Sequence, residues 1–259
     1  MAISYDNQDI LKHFADRKGI TYPLLSDIDS KIIKSFEILN TNISEGHPFF
    51  GITFPGTYIV DSNGKVLSKY FEEYHRQRFT ADTILIKEYG LEGAKKTEIQ
   101  TDHLKINAFA SQYTIRPGNR ISIIMDIELP EQMHLYGQGA KGYKSVSLNI
   151  QEDPSLKIYN PEYPDAKIMY LEVIEEEVPI YKNSVRLSRD LTLSPGYRQE
   201  NLVVSAALNY QACDENICYL PVEVPLKFEL DVEAHDFQLA PTSKFRKPSS
   251  SGPAKSNGK

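Results

Sequence analysis

The spacing of hydrophobic residues changes along the chain, and the change falls after residues 90–97. Before that point, runs with helical spacing alternate with short runs typical of strands, which predicts the order β-α-β-α-β-β-α and an α/β arrangement. Ile10, Leu11 and Phe14 would share one helical face, and Asn63-Gly64 between two strand-like runs predicts a hairpin.

Two further helices are predicted in this first part from their start signals. Asp29 is the expected N-cap of a helix whose buried side is Ile32, Ile33 and Phe36. Thr80 is the expected N-cap of a last helix, which contains Ile84, Leu85 and Tyr89. Gly90 follows the second of these helices and supplies its stop signal.

From about residue 100, hydrophobic and polar residues alternate with a period of two, interrupted by Pro and Gly. This period places alternate side chains on opposite faces of a strand. Seven or more short strands separated by turn residues predict an antiparallel β-sandwich. The clearest runs are 120–129, 145–150, 168–173, 184–187, 201–208 and 222–230.

Composition and charge narrow the class of protein. The 259 residues carry a formal net charge of −6, which argues against a general nucleic-acid binder because such a protein needs a basic face for the phosphates. We see no apolar run long enough to span a bilayer and no signal peptide in the sequence as given. We find no nucleotide-binding pattern either, and we expect no cofactor.

The only two cysteines are Cys213 and Cys218, and they lie between two strand-like runs. A loop this short could bring the sulfurs within disulfide distance. The pair could then exchange disulfides with a partner protein, or it could form a disulfide that only stabilises the loop. Two buried, inert thiols are a further alternative. A metal site is a weaker one, because two thiolates need further ligands.

Two kinds of neighbour bear on this pair. Asp214 and Glu215 follow Cys213, and their negative charge would raise the pKa of its thiol. His134 could approach the cysteines, but the expected place for it is a solvent-facing or hydrogen-bonded position on a strand.

Three segments of the first ninety residues resemble the peroxiredoxin-like redoxin (AhpC/TSA) branch of the thioredoxin fold: Ala2–Asp6, Tyr22–Asp27 and Phe54–Gly64. The resemblance places Pro55 where thioredoxin-like proteins often carry a cis-proline beside the active site. Both isomers stay open for Pro55. The resemblance favours the cis isomer, whereas the base rate favours trans because only ~5% of X-Pro bonds are cis.

The departure from this family concerns its reactive residue. The family carries its peroxidatic cysteine on a strand and helix that would precede Met1, and no cysteine stands before Cys213. We therefore expect a truncated gene or a fragment or, as the second alternative, a minimal domain. In either case we expect no peroxidase activity from this chain alone.

A second resemblance covers roughly residues 100–232 and rests on Leu208–Cys213, Cys218–Pro221 and Val224–Leu226. These segments resemble the N-terminal periplasmic domain of the thiol:disulfide interchange protein DsbD. The resemblance implies an immunoglobulin-like domain in which Cys213 and Cys218 exchange disulfides with thioredoxin-like partners, and it favours the bacterial periplasm. The spacing between the cysteines is one residue shorter than expected for DsbD.

The two resemblances together predict two domains, namely a truncated α/β thioredoxin-like domain and an all-β immunoglobulin-like sandwich. The expected boundaries are 1–92 for the first domain, 93–99 for a linker, 100–234 for the sandwich and 235–259 for a disordered tail. The predicted function is thiol–disulfide exchange by a redoxin-type protein fused to a DsbD-like domain. The alternative is a non-enzymatic, immunoglobulin-like binding module with a structural disulfide.

Overall fold

The computed structural model describes residues 1–74, 76–171, 176–214 and 216–235. Three helices lie in these ranges: α1 (Gln8–Lys18), α2 (Lys31–Ser35) and α3 (Ala81–Tyr89). The strands are β1 (Ala2–Ser4), β2 (Leu24–Ser26), β3 (Gly56–Val60), β4 (Val66–Phe71), β5 (Arg78–Phe79), β6 (Thr97–Gln100), β7 (Lys105–Ala110), β8 (Thr114–Ile115), β9 (Asn119–Glu128), β10 (His134–Tyr136), β11 (Ser147–Ile150), β12 (Leu156–Glu162), β13 (Lys167–Leu171), β14 (Glu176–Lys182), β15 (Ser184–Leu193), β16 (Asn201–Tyr210), β17 (Ala212–Cys213) and β18 (Val222–Val232).

The structure contains the predicted β-α-β-α-β-β-α order, with β5 as one further short strand before α3. From residue 236 onward, the tail predicted to be disordered lies outside the described residues, as does the end of the predicted strand 168–173. No helix in the described part of the chain has the length and apolar character needed to cross a membrane.

The chain divides into two compact units, and residues 1–55 form the described part of the first. In this unit β1 and β2 pair in parallel, with Ile3 opposite Leu25, and helices α1 and α2 accompany them. Asn7 is the N-cap of helix α1, and its side chain accepts a hydrogen bond from the backbone N–H of Ile10. Gly19 is the C-cap and lies in the left-handed region.

The start of α2 corrects the prediction that Asp29 is its N-cap. Ser30 occupies that position without a side-chain capping bond. The carboxylate of Asp27 instead accepts from the backbone N–H groups of Lys31 at 2.9 Å and Ile33 at 2.8 Å. Asp27 reaches these groups across a turn in which the Ser30 N–H donates to the Asp27 carbonyl oxygen. The predicted buried side of α2 is also corrected: Ile33 is buried, whereas Ile32 and Phe36 are exposed.

Residues 56–235 form the described part of the second unit, which contains the predicted sandwich. One sheet has six strands, with β12-β15-β9-β7-β6 in order and β5 beside β9, and a second has four strands in the order β11-β16-β18-β8. Ile123 and Leu187 of the first sheet pack in one buried cluster with Leu208 and Phe228 of the second. The predicted sandwich is therefore confirmed, although β5–β9 and β8–β18 pair in parallel.

Strand β9 is buried on both faces because helix α3 covers the side that faces away from this cluster. Ile124 of β9 packs against Ile86 of α3 and Phe109 of β7. Residues 56–92, which the sequence assigns to the first domain, lie in the same compact unit as the sandwich. The domain boundaries of the sequence analysis stay a prediction.

A third sheet in this unit has the strand order β13-β14-β10-β17 and brings the cysteines to its edge. Leu135 of β10 and Ala212 of β17 belong to the main buried cluster, so one face of this sheet packs against the sandwich core. Tyr136 and Cys213 belong to a separate, smaller cluster with Ile180. Since side chains alternate along a strand, the cysteine lies on the face opposite the core.

Candidate functional site

Cys213 and Cys218 form a disulfide across a tight loop, with their Cα atoms 4.0 Å apart. The two cysteines also pair as an isolated antiparallel bridge, so the loop between them is a small hairpin at the end of β17. The sequence is compatible with a disulfide and with free thiols, and the structure has the disulfide.

Asp214 organises the loop between the cysteines. Its carboxylate accepts hydrogen bonds from the backbone N–H groups of Asn216 at 2.7 Å and Ile217 at 2.8 Å, and from the Tyr219 hydroxyl at 2.9 Å. These donors hold the pKa of Asp214 below its ordinary value, since they stabilise the charged carboxylate. Glu215, the other acidic neighbour considered, lies outside the described residues.

The two cysteine residues differ in their exposure to solvent. Cys213 is 1% exposed, whereas Cys218 is exposed on the loop. Two apolar side chains close to Cys218 are also exposed, Ile217 at 56% and Leu220 at 85%. A reagent that approaches the disulfide from solvent therefore meets Cys218 first, in an apolar surrounding.

Strand β10 places one side chain next to each cysteine. His134 lies directly opposite Cys213 in the β10–β17 register, and the Tyr136 hydroxyl lies 3.4 Å from the Cys218 sulfur. Tyr143 stacks on Tyr136 with ring centroids 4.1 Å apart. Burial, together with the neighbouring Tyr143, raises the pKa of Tyr136 to about 12, so this phenol stays protonated at neutral pH.

His134 differs from the expectation that it would be solvent-facing or hydrogen-bonded. It is 5% exposed, and its Nε2 has no hydrogen-bond partner among the described residues. Burial lowers the pKa of His134, the ammonium of Lys182 lowers it further, and the carboxylate of Asp214 acts in the opposite direction. The register between β10 and β17 decides where the His134 side chain lies, and the sequence of a three-residue strand does not reveal that register.

The tyrosines of this site were not predicted from the sequence. Two patterns could have pointed to them: His134 and Tyr136 are two residues apart and so share a strand face, and Tyr219 directly follows Cys218. Neither pattern is distinctive without knowing that β10 pairs with β17.

The remaining candidate, Pro55, follows a trans peptide bond, so the trans alternative is the one found. It is buried in the unit formed by residues 1–55, whereas the cysteines belong to the other unit. Among the described residues there is no cluster of three or more His, Cys, Asp or Glu side chains that could hold a metal ion.

With this geometry in place, comparisons with known families identify what the two parts are similar to. Residues 103–229 match the family model of the N-terminal domain of thiol:disulfide interchange protein DsbD, and residues 1–69 match the AhpC/TSA family. The chain resembles two redox families. The first match supports an immunoglobulin-like fold for the sandwich and, with the second, supports a relation to thiol–disulfide exchange proteins.

Solved structures that match part of this chain include the N-terminal periplasmic domain of ScsB from Proteus mirabilis, at 14% identity and a TM-score of 0.39. The match covers 54% of this chain and 52% of that one. The reduced DsbD N-terminal domain of Neisseria meningitidis matches at 14% identity and a TM-score of 0.32, covering 42% of this chain and 78% of that one. A complex between the DsbD and PilB N-terminal domains of the same organism matches at 12% identity and a TM-score of 0.31. This match covers 41% of this chain and 73% of that one.

The chain thus spans about half the length of the ScsB domain that it matches. No curated protein sequence matches this chain closely enough to count as a relative.

Proposed function

We propose that this protein exchanges the Cys213–Cys218 disulfide with the cysteines of a thioredoxin-like partner protein. The observation that carries the proposal is the asymmetry of the disulfide, with Cys218 exposed on a loop and Cys213 buried behind it. The match of residues 103–229 to the DsbD N-terminal family supports the same chemistry.

The exposure of Cys218 sets the order of events. A partner thiolate attacks the Cys218 sulfur, the partner–Cys218 bond forms, and the Cys213–Cys218 bond breaks with its electron pair going to Cys213. In the reverse direction, Cys213 attacks the Cys218 sulfur of the mixed disulfide, and the partner leaves as a thiolate. The apolar side chains of Ile217 and Leu220 would lie in the contact with the partner.

The N-terminal part enters this proposal as a redoxin-like region that does not itself react through sulfur. Residues 1–69 match the AhpC/TSA family, yet the only cysteines of the chain are the two that pair with each other. Exchange therefore needs the cysteines of a partner protein, and we expect no peroxidase activity from this chain alone.

A pair of single-cysteine variants tests the proposed order. In Cys213→Ser the remaining Cys218 is exposed, and we expect it to form a mixed disulfide with a thioredoxin that keeps only its nucleophilic cysteine, supplied as an activated disulfide. In Cys218→Ser the remaining Cys213 is buried, and we expect trapping at least about 10-fold slower. Equal trapping in the two variants, with both folded, would contradict the proposal.

A second candidate is the binding module with a structural disulfide. The burial of Cys213 and the three hydrogen bonds to Asp214 favour it, because both stabilise the closed loop. Titration of the pair against dithiothreitol or glutathione separates the candidates. A reduction potential below about −300 mV favours the structural disulfide, and a higher one favours exchange.

A further inference from the structure

His134 is a buried, titratable side chain whose ring nitrogen Nε2 has no partner among the described residues. Leaving a buried polar atom without a hydrogen bond costs about 1–3 kcal/mol, so such an atom calls for an explanation. The oxidised site offers none, because a disulfide carries no proton to donate.

The position of His134 relative to the cysteines supplies a reason. It lies directly opposite Cys213 in the antiparallel β10–β17 pair, so the two side chains leave the sheet on the same face. Residues opposite each other in such a pair have Cβ atoms roughly 4.5–5.5 Å apart, which is within reach of an imidazole ring. Two residues further along β10, the Tyr136 hydroxyl lies 3.4 Å from the Cys218 sulfur.

The charged and titratable groups around His134 come from each neighbouring strand. Lys182 lies opposite it on β14, Asp214 follows Cys213 on the other side, and Tyr136 on β10 itself packs its ring 5.4 Å from the imidazole. Tyr143 stacks on the far side of Tyr136. Burial and Lys182 favour the neutral imidazole, and Asp214 would stabilise an imidazolium formed briefly during a reaction.

We propose that His134 accepts the proton of the Cys213 thiol when Cys213 resolves a mixed disulfide at Cys218. The proton moves from the Cys213 sulfur to the imidazole, and the resulting thiolate attacks the Cys218 sulfur. The Cys213–Cys218 bond forms, the bond to the partner sulfur breaks, and the partner leaves as a thiolate with the electron pair. The proposal rests on the exchange function proposed above.

The need for such a base follows from the burial of Cys213. A thiol in apolar surroundings ionises less readily than a free thiol, whose pKa is about 8.5, so little thiolate would be present at neutral pH. A neutral imidazole beside the thiol takes up the proton as the thiol reacts, so Cys213 does not have to ionise beforehand.

The test separates the two sulfur steps in time. The reduced full-length protein is mixed with one molar equivalent of 5,5′-dithiobis(2-nitrobenzoic acid), whose thiolate product absorbs at about 412 nm. The first equivalent of product reports attack by Cys218, and the second reports resolution by Cys213. Unmodified protein should show a second phase that varies less than about twofold between pH 7 and 8, because the imidazole is already neutral there.

Two variants sharpen the result. In His134→Gln we expect the first phase to change by less than about twofold and the second to slow about 10²-fold at pH 7, with a rate that now rises roughly tenfold per pH unit. His103→Gln is the matched control, since His103 packs on Tyr219 at 4.4 Å from ring to ring on the same domain. It should leave both phases unchanged.

The outcomes distinguish the two proposals. If the second phase of the unmodified protein already rises about tenfold from pH 7 to 8, His134 is not the proton acceptor, and this result does not depend on whether any variant folds. Equal second phases in folded His134→Gln and the unmodified protein would overturn the role as well. If no second equivalent is released at all, the exchange function itself fails.

Discussion

The two compact units differ in how much hydrophobic surface they bury. In residues 1–55 the buried hydrophobic side chains are Leu11 and Ile33, while Phe14, Ile32 and Phe36 are among the apolar residues left exposed. In residues 56–235 a continuous buried cluster joins the two sheets of the sandwich. Because burial of apolar surface is the main favourable term in folding, the second unit is the stable scaffold and carries the disulfide.

The units differ in their charged groups as well. In residues 56–235, Asp190 is 2% exposed and contacts Arg120 at 2.9 Å and Lys87 at 3.1 Å, and it accepts a hydrogen bond from Ser122 at 2.6 Å. In residues 1–55, the Lys12–Asp16 pair is exposed on α1 at 3.1 Å. Removal of one member of a buried ion pair leaves the other charge buried and unpaired, which costs more stability than the same change in an exposed pair.

The largest expected effect comes from Asp190→Ala, which leaves Arg120 and Lys87 without their shared carboxylate. We expect the free energy of unfolding of the sandwich to fall by about 3–5 kcal/mol, measured by urea unfolding. Asp16→Ala, the exposed counterpart, should cost about 0.5 kcal/mol or less. Similar losses in both variants would remove the contrast between buried and exposed charge.

A matched pair of leucines probes the two cores. Leu187→Ala opens a cavity in the sandwich and should lower its free energy of unfolding by about 2–5 kcal/mol. Leu11→Ala acts in the small N-terminal unit and should leave the urea midpoint of the sandwich unchanged. A shift of that midpoint by Leu11→Ala would mean that the two units unfold as one.

Reduction of the disulfide should have a smaller effect on the same unit. The bond joins residues five apart, and closing so short a loop contributes about 2 kcal/mol in the chain-entropy account. We expect the reduced sandwich to stay folded and to unfold at a lower urea concentration, with far-UV circular dichroism as the measurement. Complete unfolding on reduction would favour the structural disulfide over exchange.

The smallest expected effect is a pH dependence in the N-terminal unit. Burial alone would raise the pKa of Asp27, but backbone donors, chiefly the N–H groups of Ile33, Ile32 and Lys31, outweigh it and hold the pKa below 3.8. A lowered folded pKa gives stability that is present above about pH 3.8 and lost as pH falls through the folded value.

We therefore expect the stability that the Asp27 cap gives α2 to fall by about 1 kcal/mol below that pH. An NMR titration of the Ile33 amide measures this loss. Asp27→Asn should show the loosened helix at neutral pH and no further change on acidification. Unchanged Ile33 signals down to pH 2 would contradict the capping role.

The sequence predicted the elements whose signals are local. The hairpin at Asn63-Gly64, the Thr80 cap and the period-two strands depend on residues a few positions apart, and the structure has each of them. The predicted cap of α2 was wrong because Asp29 fits the usual N-cap spacing, whereas Asp27 reaches the N–H groups of Lys31 and Ile33 across a turn that the cap pattern does not show. The pairing of β10 with β17 was not predicted, because three residues carry too little periodicity to indicate a partner strand.

The sequence by itself determined that any sulfur chemistry of this chain passes through Cys213 and Cys218, since it has no other cysteine. Only the tertiary structure decided that Cys218 is exposed, that Cys213 is buried, and that His134 lies opposite it. The physical reason is strand pairing between residues about eighty positions apart. A shift of one residue in that register would turn His134 to the other face, and no local preference fixes it.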